Sequence, residues 1–182
     1  MAEASDPFST SEIFDEKFLL AVGRATVAWA YLEAGIDFAV LVIHGRLSGE
    51  HDPKSRLPRV LAKKLKYLCD AAQHVPTIAD HSQRIQSVVA AIRREAVTRH
   101  DLVHGVATAR LEETGELQMY RLLNTGTIPV GDRRFEMSEP IVMAHVARTL
   151  DLAKGILFIA RDLFTIVVPP GKGLGPVNVG RI

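Results

Sequence analysis

Apolar residues recur every three or four positions through four long stretches of the chain, which is the spacing of one face of an α-helix. The first stretch runs from residue 11 to about residue 45, the second covers 57–74, the third 78–104 and the fourth 139–166. The apolar positions of the first stretch are Phe14, Phe18, Ala21, Val22, Ala25, Ala28, Trp29, Leu32, Ile36, Val40 and Ile43. Long helices with short connections bury such faces against one another, so the sequence predicts an antiparallel bundle of four main helices.

Between the third and fourth stretches the period of the pattern changes from that of a helix to that of a strand. Residues 106–112 alternate, residues 113–115 (Glu-Thr-Gly) are typical of a turn, and residues 117–123 are again β-like. This predicts a β-hairpin, which a third strand near residues 133–137 would extend. The expected fold is therefore mainly α, with a hairpin at about residues 106–137 inserted between the third and fourth helices.

The size and composition are those of an ordinary globular protein. The chain has 182 residues, of which 47% are hydrophobic and 24% charged, and this length suits one domain. We expect an N-terminal arm at 1–10, a single domain at 11–168 and a flexible glycine-rich tail at 169–182. The net charge of +1 excludes an overall basic field, so an RNA partner would need a local basic patch.

The sequence favours a cytoplasmic protein that does not enter a membrane. Its first residues lack the basic region and apolar core of a signal peptide. Residues 18–43 and 150–168 are apolar, but charged residues recur through the middle of both, and such charges are costly in lipid.

Cys69 is the only cysteine, so an intramolecular disulfide is impossible.

The densest polar cluster of the chain lies at the end of the third helix, from Arg99 to His104. On a helix, His100 and His104 share a face, while Arg99 and His104 are about 140° apart. They would converge on one ligand if the helix frayed near Gly105 or if a second copy completed the site. Histidine exchanges protons near neutrality and arginine binds phosphate, which are the needs of metal-independent RNA cleavage. The spacing alone favours a helix end that carries two histidines, one of them near the C-terminal dipole.

The segment Arg99-His100-Asp101-Leu102-Val103-His104-Gly105 resembles the signature of the HEPN superfamily (higher eukaryotes and prokaryotes nucleotide-binding), an arginine followed after four to six residues by a histidine. The ending His-Gly resembles a form common in bacterial members. Residues 23–33 (GRATVAWAYLE) are similar to the first helix of uncharacterised bacterial HEPN-like proteins. The resemblance covers roughly residues 11–165, and the inserted hairpin departs from the minimal bundle of the family.

The resemblance implies an all-α bundle that dimerises, with the motif helices of two subunits facing each other across a cleft. Many members cleave single-stranded RNA in toxin–antitoxin or other defence systems, and others are inactive binding or regulatory modules. By this resemblance Arg99 and His104 are catalytic, His100 and Asp101 are supporting residues, and RNA and an antitoxin or regulatory protein are the expected partners. No cofactor and no metal are implied.

Two further features bear on the site. Glu33 is a carboxylate in an apolar helix and needs a partner. If that partner is Arg99, Glu33 would orient its guanidinium and would be a supporting residue of the site. The alternatives are a pairing with Arg24 or exposure at the edge of the apolar face. His100 and His104 nearly match the zinc-protease pattern His-Glu-x-x-His, but Asp101 stands where that pattern has glutamate and Gly105 ends the helix. We therefore expect no zinc site.

Three functional hypotheses remain. The first is a homodimeric, metal-independent endoribonuclease that acts on single-stranded RNA. The second is a catalytically silent HEPN-like module that binds RNA or nucleotide, or regulates a partner. The third is an interaction protein in which Arg99 and His104 stabilise a dimer interface.

Overall fold

A computed structural model of the chain describes residues 14–51, 57–111, 113–124 and 129–167. The predicted arm at 1–10 and tail at 169–182 lie outside these residues. The main helices are α1 (Glu16–His51), α2 (Leu61–His74), α3 (Ser82–His104) and α4 (Glu139–Val167), with a 3₁₀-helix at Pro76–His81 between α2 and α3. Four main helices with a β-structure between the third and fourth confirm the predicted fold class.

Four helix boundaries differ from the sequence pattern. Helices α1 and α2 begin at Glu16 and Leu61, later than the predicted residues 11 and 57. Helix α1 continues through Gly45 and Gly49 to His51, because each glycine costs a helix only about 1 kcal/mol. Helix α3 begins at Ser82, four residues later than the pattern indicates, because the 3₁₀-helix occupies Pro76–His81. The buried side chain of Ile78 belongs to this 3₁₀-helix, which explains why it fits the apolar pattern of the helix that follows.

The inserted structure is a three-stranded antiparallel sheet, so the hairpin is extended by the third strand that the sequence suggests. The strands are β1 (Val106–Arg110), β2 (Leu117–Asn124) and β3 (Pro129–Met137), in the order β1-β2-β3. Gly115, between β1 and β2, has a φ of 70°, a left-handed conformation that glycine adopts without steric cost. The pairing of β1 with β2 shifts register between Ala107 and Ala109.

The chain divides into two compact units. Unit 1 comprises Met1–Val27 and Glu95–Arg148, and unit 2 comprises Ala28–Arg94 and Thr149–Ile182. The sheet belongs to unit 1, whereas α1, α3 and α4 contribute residues to both units. The expectation of one domain over residues 11–168 stays a prediction.

Unit 2 has an apolar core contributed by all four helices and the 3₁₀-helix. Its largest fully buried side chains are Leu32, Ile36, Ile43, Leu68, Ile78, Ile85, Ile92, Ile156, Ile159 and Leu163. A Cβ added to Gly35 would lie 2.7 Å from Ile156 Cγ2, so α1 and α4 approach closely there. Arg84 pairs with Asp162, and Val88 lies against Gly155. Helices α3 and α4 are therefore antiparallel in unit 2.

One segment, Glu16–Gly45 within α1, is long and apolar enough to cross a membrane by length and composition alone. Half of its most apolar window is buried inside the protein. Buried residues such as Leu32 and Ile36 pack in the core, as they do in the core helices of soluble proteins. Arg24, Glu33 and Asp37 also lie in this segment.

Candidate functional site

The polar cluster lies at the C-terminal end of α3, in unit 1. Arg99 is half-buried, His100 and His104 are exposed, and Asp101 is buried. The helix does not fray before Gly105, because the Gly105 N–H donates to the Asp101 carbonyl oxygen at 2.8 Å. With an intact helix, Arg99 and His104 are about 140° apart around its axis. One copy of α3 therefore presents the arginine and the histidine in different directions.

The two histidines form a stacked pair. The ring centroids of His100 and His104 are 5.6 Å apart and the rings are inclined by 24°. Partial burial lowers the pKa of His100, and the positive charge of Arg99, His104 and Arg121 lowers it further, while Asp101 opposes this shift. His100 is therefore neutral near pH 7, and a neutral imidazole keeps one nitrogen able to accept a proton.

Asp101 binds two arginines of the sheet. Arg121 Nη1 lies 3.0 Å from Oδ1, and Arg133 Nη2 lies 3.0 Å from Oδ2. The contact with Arg121 is an ion pair that lacks hydrogen-bond geometry, since Oδ1 accepts no hydrogen bond within the described part of the chain. The carboxylate is 4% exposed, Arg121 16% and Arg133 43%. Asp101 thus attaches α3 to β2 and β3.

The strand register explains how the sheet delivers both arginines to one carboxylate. Side chains alternate along a strand, and residues paired across strands share a face. The pairs on the inner face of the sheet are Leu117 with Met137, Met119 with Phe135 and Arg121 with Arg133. Two arginines directly opposite each other would repel, and the carboxylate of Asp101 offsets this repulsion.

Sequence reasoning missed Arg121 and Arg133 as members of the site. A signal for Arg121 was present, because it continues the alternation of Leu117 and Met119 on a buried strand face. A charged residue at such a position needs a partner. Asp101 was identified as a supporting residue, and the structure gives it the role of attaching the sheet.

The local charge of the site is positive although the net charge of the chain is small. Arg121 and Arg133 carry two positive charges against the one negative charge of Asp101, which leaves one positive charge where the sheet meets α3. The positive charges of Arg99 and Arg121 lower the pKa of His100. An anion is the ligand that such a site attracts.

Gly105 allows the sheet to pack against the end of α3. A Cβ at this position would lie 2.4 Å from the Asp101 carbonyl oxygen, 2.9 Å from Met119 Cε and 3.0 Å from Phe135 Cζ. Among the residues described, Gly115 alone has a positive φ, so Gly105 is not a left-handed helix cap. The helix ends where the sequence predicts, but the reason for the glycine is steric.

Comparison with protein-family models, with curated protein sequences and with solved structures finds no match for this chain. The resemblance to the HEPN superfamily therefore stays a prediction. A function for the chain has to be argued from the chemistry of its own residues.

Glu33 has a partner within its own helix. Trp29 Nε1 donates a hydrogen bond of 2.9 Å to Glu33 Oε1, one turn away on α1. Trp29 is 4% exposed, so this bond satisfies the only polar hydrogen of a buried indole. Neither Arg99 nor Arg24 is required to explain the carboxylate, and the orientation of Arg99 by Glu33 stays a prediction.

A second ionic cluster in unit 1 joins α3 to α4. His145 Nδ1 lies 2.7 Å from Glu95 Oε2, and Arg148 Nε donates to Glu95 Oε1 at 2.7 Å. Burial raises the pKa of Glu95, but the hydrogen bonds from Arg148 and His145 outweigh this effect and hold the pKa below its usual value. Glu95 lies one helical turn before Arg99, so the cluster fixes α3 next to the motif.

No group of three or more histidine, cysteine, aspartate or glutamate side chains is arranged to hold a metal ion in residues 14–51, 57–111, 113–124 and 129–167. The side chains at the end of α3 offer proton transfer by histidine and anion binding by arginine.

Proposed function

We propose that the protein is a metal-independent endoribonuclease that acts on single-stranded RNA, with Arg99 and His104 as catalytic residues. The observation that carries this proposal is the pair of stacked histidines at an exposed helix end, beside arginines whose positive charge lowers the pKa of His100. His100 and Asp101 support the site. A cytoplasmic location and a role in toxin or defence systems, with an antitoxin or regulatory protein as partner, belong to the same proposal.

The reaction follows from the side chains present. The imidazole of His104 accepts the proton of an RNA 2′-hydroxyl, and the 2′-oxygen attacks the adjacent phosphorus. The bond from phosphorus to the 5′-oxygen breaks, that oxygen takes up a proton from solvent, and the products are a 2′,3′-cyclic phosphate and a 5′-hydroxyl. Arg99 stabilises the negative charge that develops on the phosphoryl oxygens.

The active form is proposed to be a homodimer. Because Arg99 and His104 are about 140° apart on one helix, a second copy of α3 is needed to place an arginine and a histidine on opposite sides of one phosphate. In a symmetric dimer each of two such sites would take its arginine from one subunit and its histidine from the other.

The test is cleavage of a fluorescent single-stranded RNA in the presence of EDTA. We expect the wild-type protein to leave 2′,3′-cyclic phosphate ends and not to cut a strand with deoxyribose at the scissile position. Loss of an acid–base group or of charge stabilisation should lower the rate about 10²- to 10⁴-fold in Arg99→Ala and in His104→Ala. His74→Ala, which removes an exposed histidine of unit 2, is the matched control and should cleave normally.

Mixing the two inactive variants tests the shared site. If they exchange subunits freely, half the dimers are mixed and each has one intact site, so about one quarter of the wild-type activity should return. Full activity in both single variants would contradict the proposal. RNA binding without any shortening of the RNA would instead favour the silent binding module.

A further inference from the structure

The outer face of the sheet carries a row of three residues that begins beside the motif. Val106 pairs with Tyr120, and Tyr120 pairs with Arg134, so the three side chains share one face across β1, β2 and β3. Val106 is 63% exposed, Arg134 is exposed and Tyr120 is half-buried. Val106 follows His104 by two residues, so the row starts immediately after the exposed end of α3.

An open cleft of about 840 Å³ lies along this sheet, lined in part by Tyr120, Arg134, Gln118 and Glu136. Gln118 and Glu136 pair with each other in the row next to Tyr120 and Arg134. The cleft therefore combines an aromatic ring and a guanidinium group with an amide and a carboxylate. It belongs entirely to unit 1, as the motif does.

These groups suit a nucleobase better than a phosphate. Tyrosine rings and arginine guanidinium planes both stack on bases, and amide or carboxylate groups hydrogen-bond to base edges. The carboxylate of Glu136 repels phosphate, whereas the arginines around Asp101 attract it. Neighbouring strands are about 4.8 Å apart, so the row spans about 10 Å.

We infer that the row Val106, Tyr120 and Arg134 is a base-stacking subsite for single-stranded RNA, on the face of the sheet opposite the one that carries Arg121 and Arg133. The inference rests on the proposed function for the class of ligand, and it adds the part of the protein that holds the base. Tyr120 is the central member, because it pairs with a neighbour on both sides.

The experiment measures binding, without cleavage, in the full chain that carries His104→Ala. The probes are a fluorescent oligouridylate and an abasic strand of the same length and charge. Loss of one stacked base costs about 1–3 kcal/mol, so Tyr120→Ala should weaken binding of the oligouridylate about 5- to 150-fold. Binding of the abasic strand should change less than about twofold, since its phosphates are unaffected.

Two variants serve as controls. Tyr120→Phe keeps the ring and should bind the oligouridylate as the parent does. Tyr31→Ala removes a tyrosine that is 62% exposed in unit 2 and should have no effect on either strand. Circular dichroism and the midpoint of urea unfolding show whether Tyr120→Ala keeps its fold.

Equal binding of the oligouridylate by a folded Tyr120→Ala, or an equal loss for both strands, would overturn the inference and would favour a protein partner on this face. The result of this binding experiment can be distinguished from the result of the cleavage test of the proposed function. Base-dependent binding that requires Tyr120 supports the inference even if the wild-type protein cuts no RNA. Cleavage that is indifferent to Tyr120 leaves the proposed function intact and removes the subsite.

Discussion

Units 1 and 2 have interiors of different chemistry. In unit 2 the large fully buried side chains are aliphatic, whereas unit 1 buries the charged Asp101 and the titratable His145. Ion pairs and hydrogen bonds hold these groups, from Arg121 and Arg133 on one side and Glu95 on the other. Buried charges are expensive and contribute little net stability. The comparison indicates that the interior of unit 2 depends mainly on apolar packing, while unit 1 also buries groups that depend on ion pairs and hydrogen bonds.

The strongest test of this difference is Asp101→Asn. The variant keeps the size of the side chain but leaves Arg121, which is 16% exposed, without its counter-charge. We expect a loss of about 3 kcal/mol in the free energy of unfolding, measured in urea. Amide hydrogen exchange should accelerate in β2 and β3 more than in α2. Asp70→Asn, which removes an exposed pairing with Lys66, is the control and should cost about 0.5 kcal/mol or less.

A smaller loss of stability is expected when a side chain is added at Gly105, where the sheet meets α3. Gly105→Ala places a methyl group 2.4 Å from a backbone oxygen, which cannot move aside without shifting the helix or the sheet. The expected cost is about 1–3 kcal/mol. Gly23→Ala is the matched control, because a Cβ there meets nothing within 4 Å, and it should stabilise α1 by about 0.5–1 kcal/mol. Equal stability of both variants would show that the end of α3 accommodates a Cβ at position 105.

The smallest expected change in stability comes from the protonation of His100. Its pKa in the folded protein is lowered from 6.5 by burial and by neighbouring cations, so the unfolded chain binds this proton more readily. The contribution of His100 to stability is therefore complete above about pH 6.5 and falls as the pH drops below that value. Nuclear magnetic resonance titration should give a pKa below 6.5, and an oligonucleotide bound at the motif should raise it because phosphate neutralises the cations. A pKa unchanged by the oligonucleotide would place the anion elsewhere.

Much of the fold follows from periodicity. Leu32 and Ile36 lie on the apolar face that the sequence predicts for α1, and both are fully buried. The change of period after His104 marks the start of β1 to within two residues. These features depend on neighbours a few positions apart, which a single sequence displays directly. The boundary at Ser82 was missed because a 3₁₀-helix shares the apolar spacing of the helix that follows it.

The candidate site was predictable only in part. Arg99 and His104 are close in the sequence, so their spacing on α3 could be derived. The partnership of Asp101 with Arg121 and Arg133 depends on which residues face each other across two strands, and that register is fixed by packing distant in sequence. The reason for Gly105 likewise arises from Met119 and Phe135. Contacts between residues that are far apart in the sequence leave no periodic pattern along the chain.

The steric role of Gly105 has a consequence for the evolution of such chains. A side chain at position 105 would collide with the backbone of α3 and with Met119 and Phe135 of the sheet, and Asp101 pairs with the arginines of that sheet. We therefore expect both residues to be required whether or not RNA is cut. A descendant that lost the reaction would be free to replace His104 while still retaining Gly105 and Asp101. Among related sequences, a retained glycine beside a replaced histidine would therefore identify proteins that keep this architecture after their chemistry has gone.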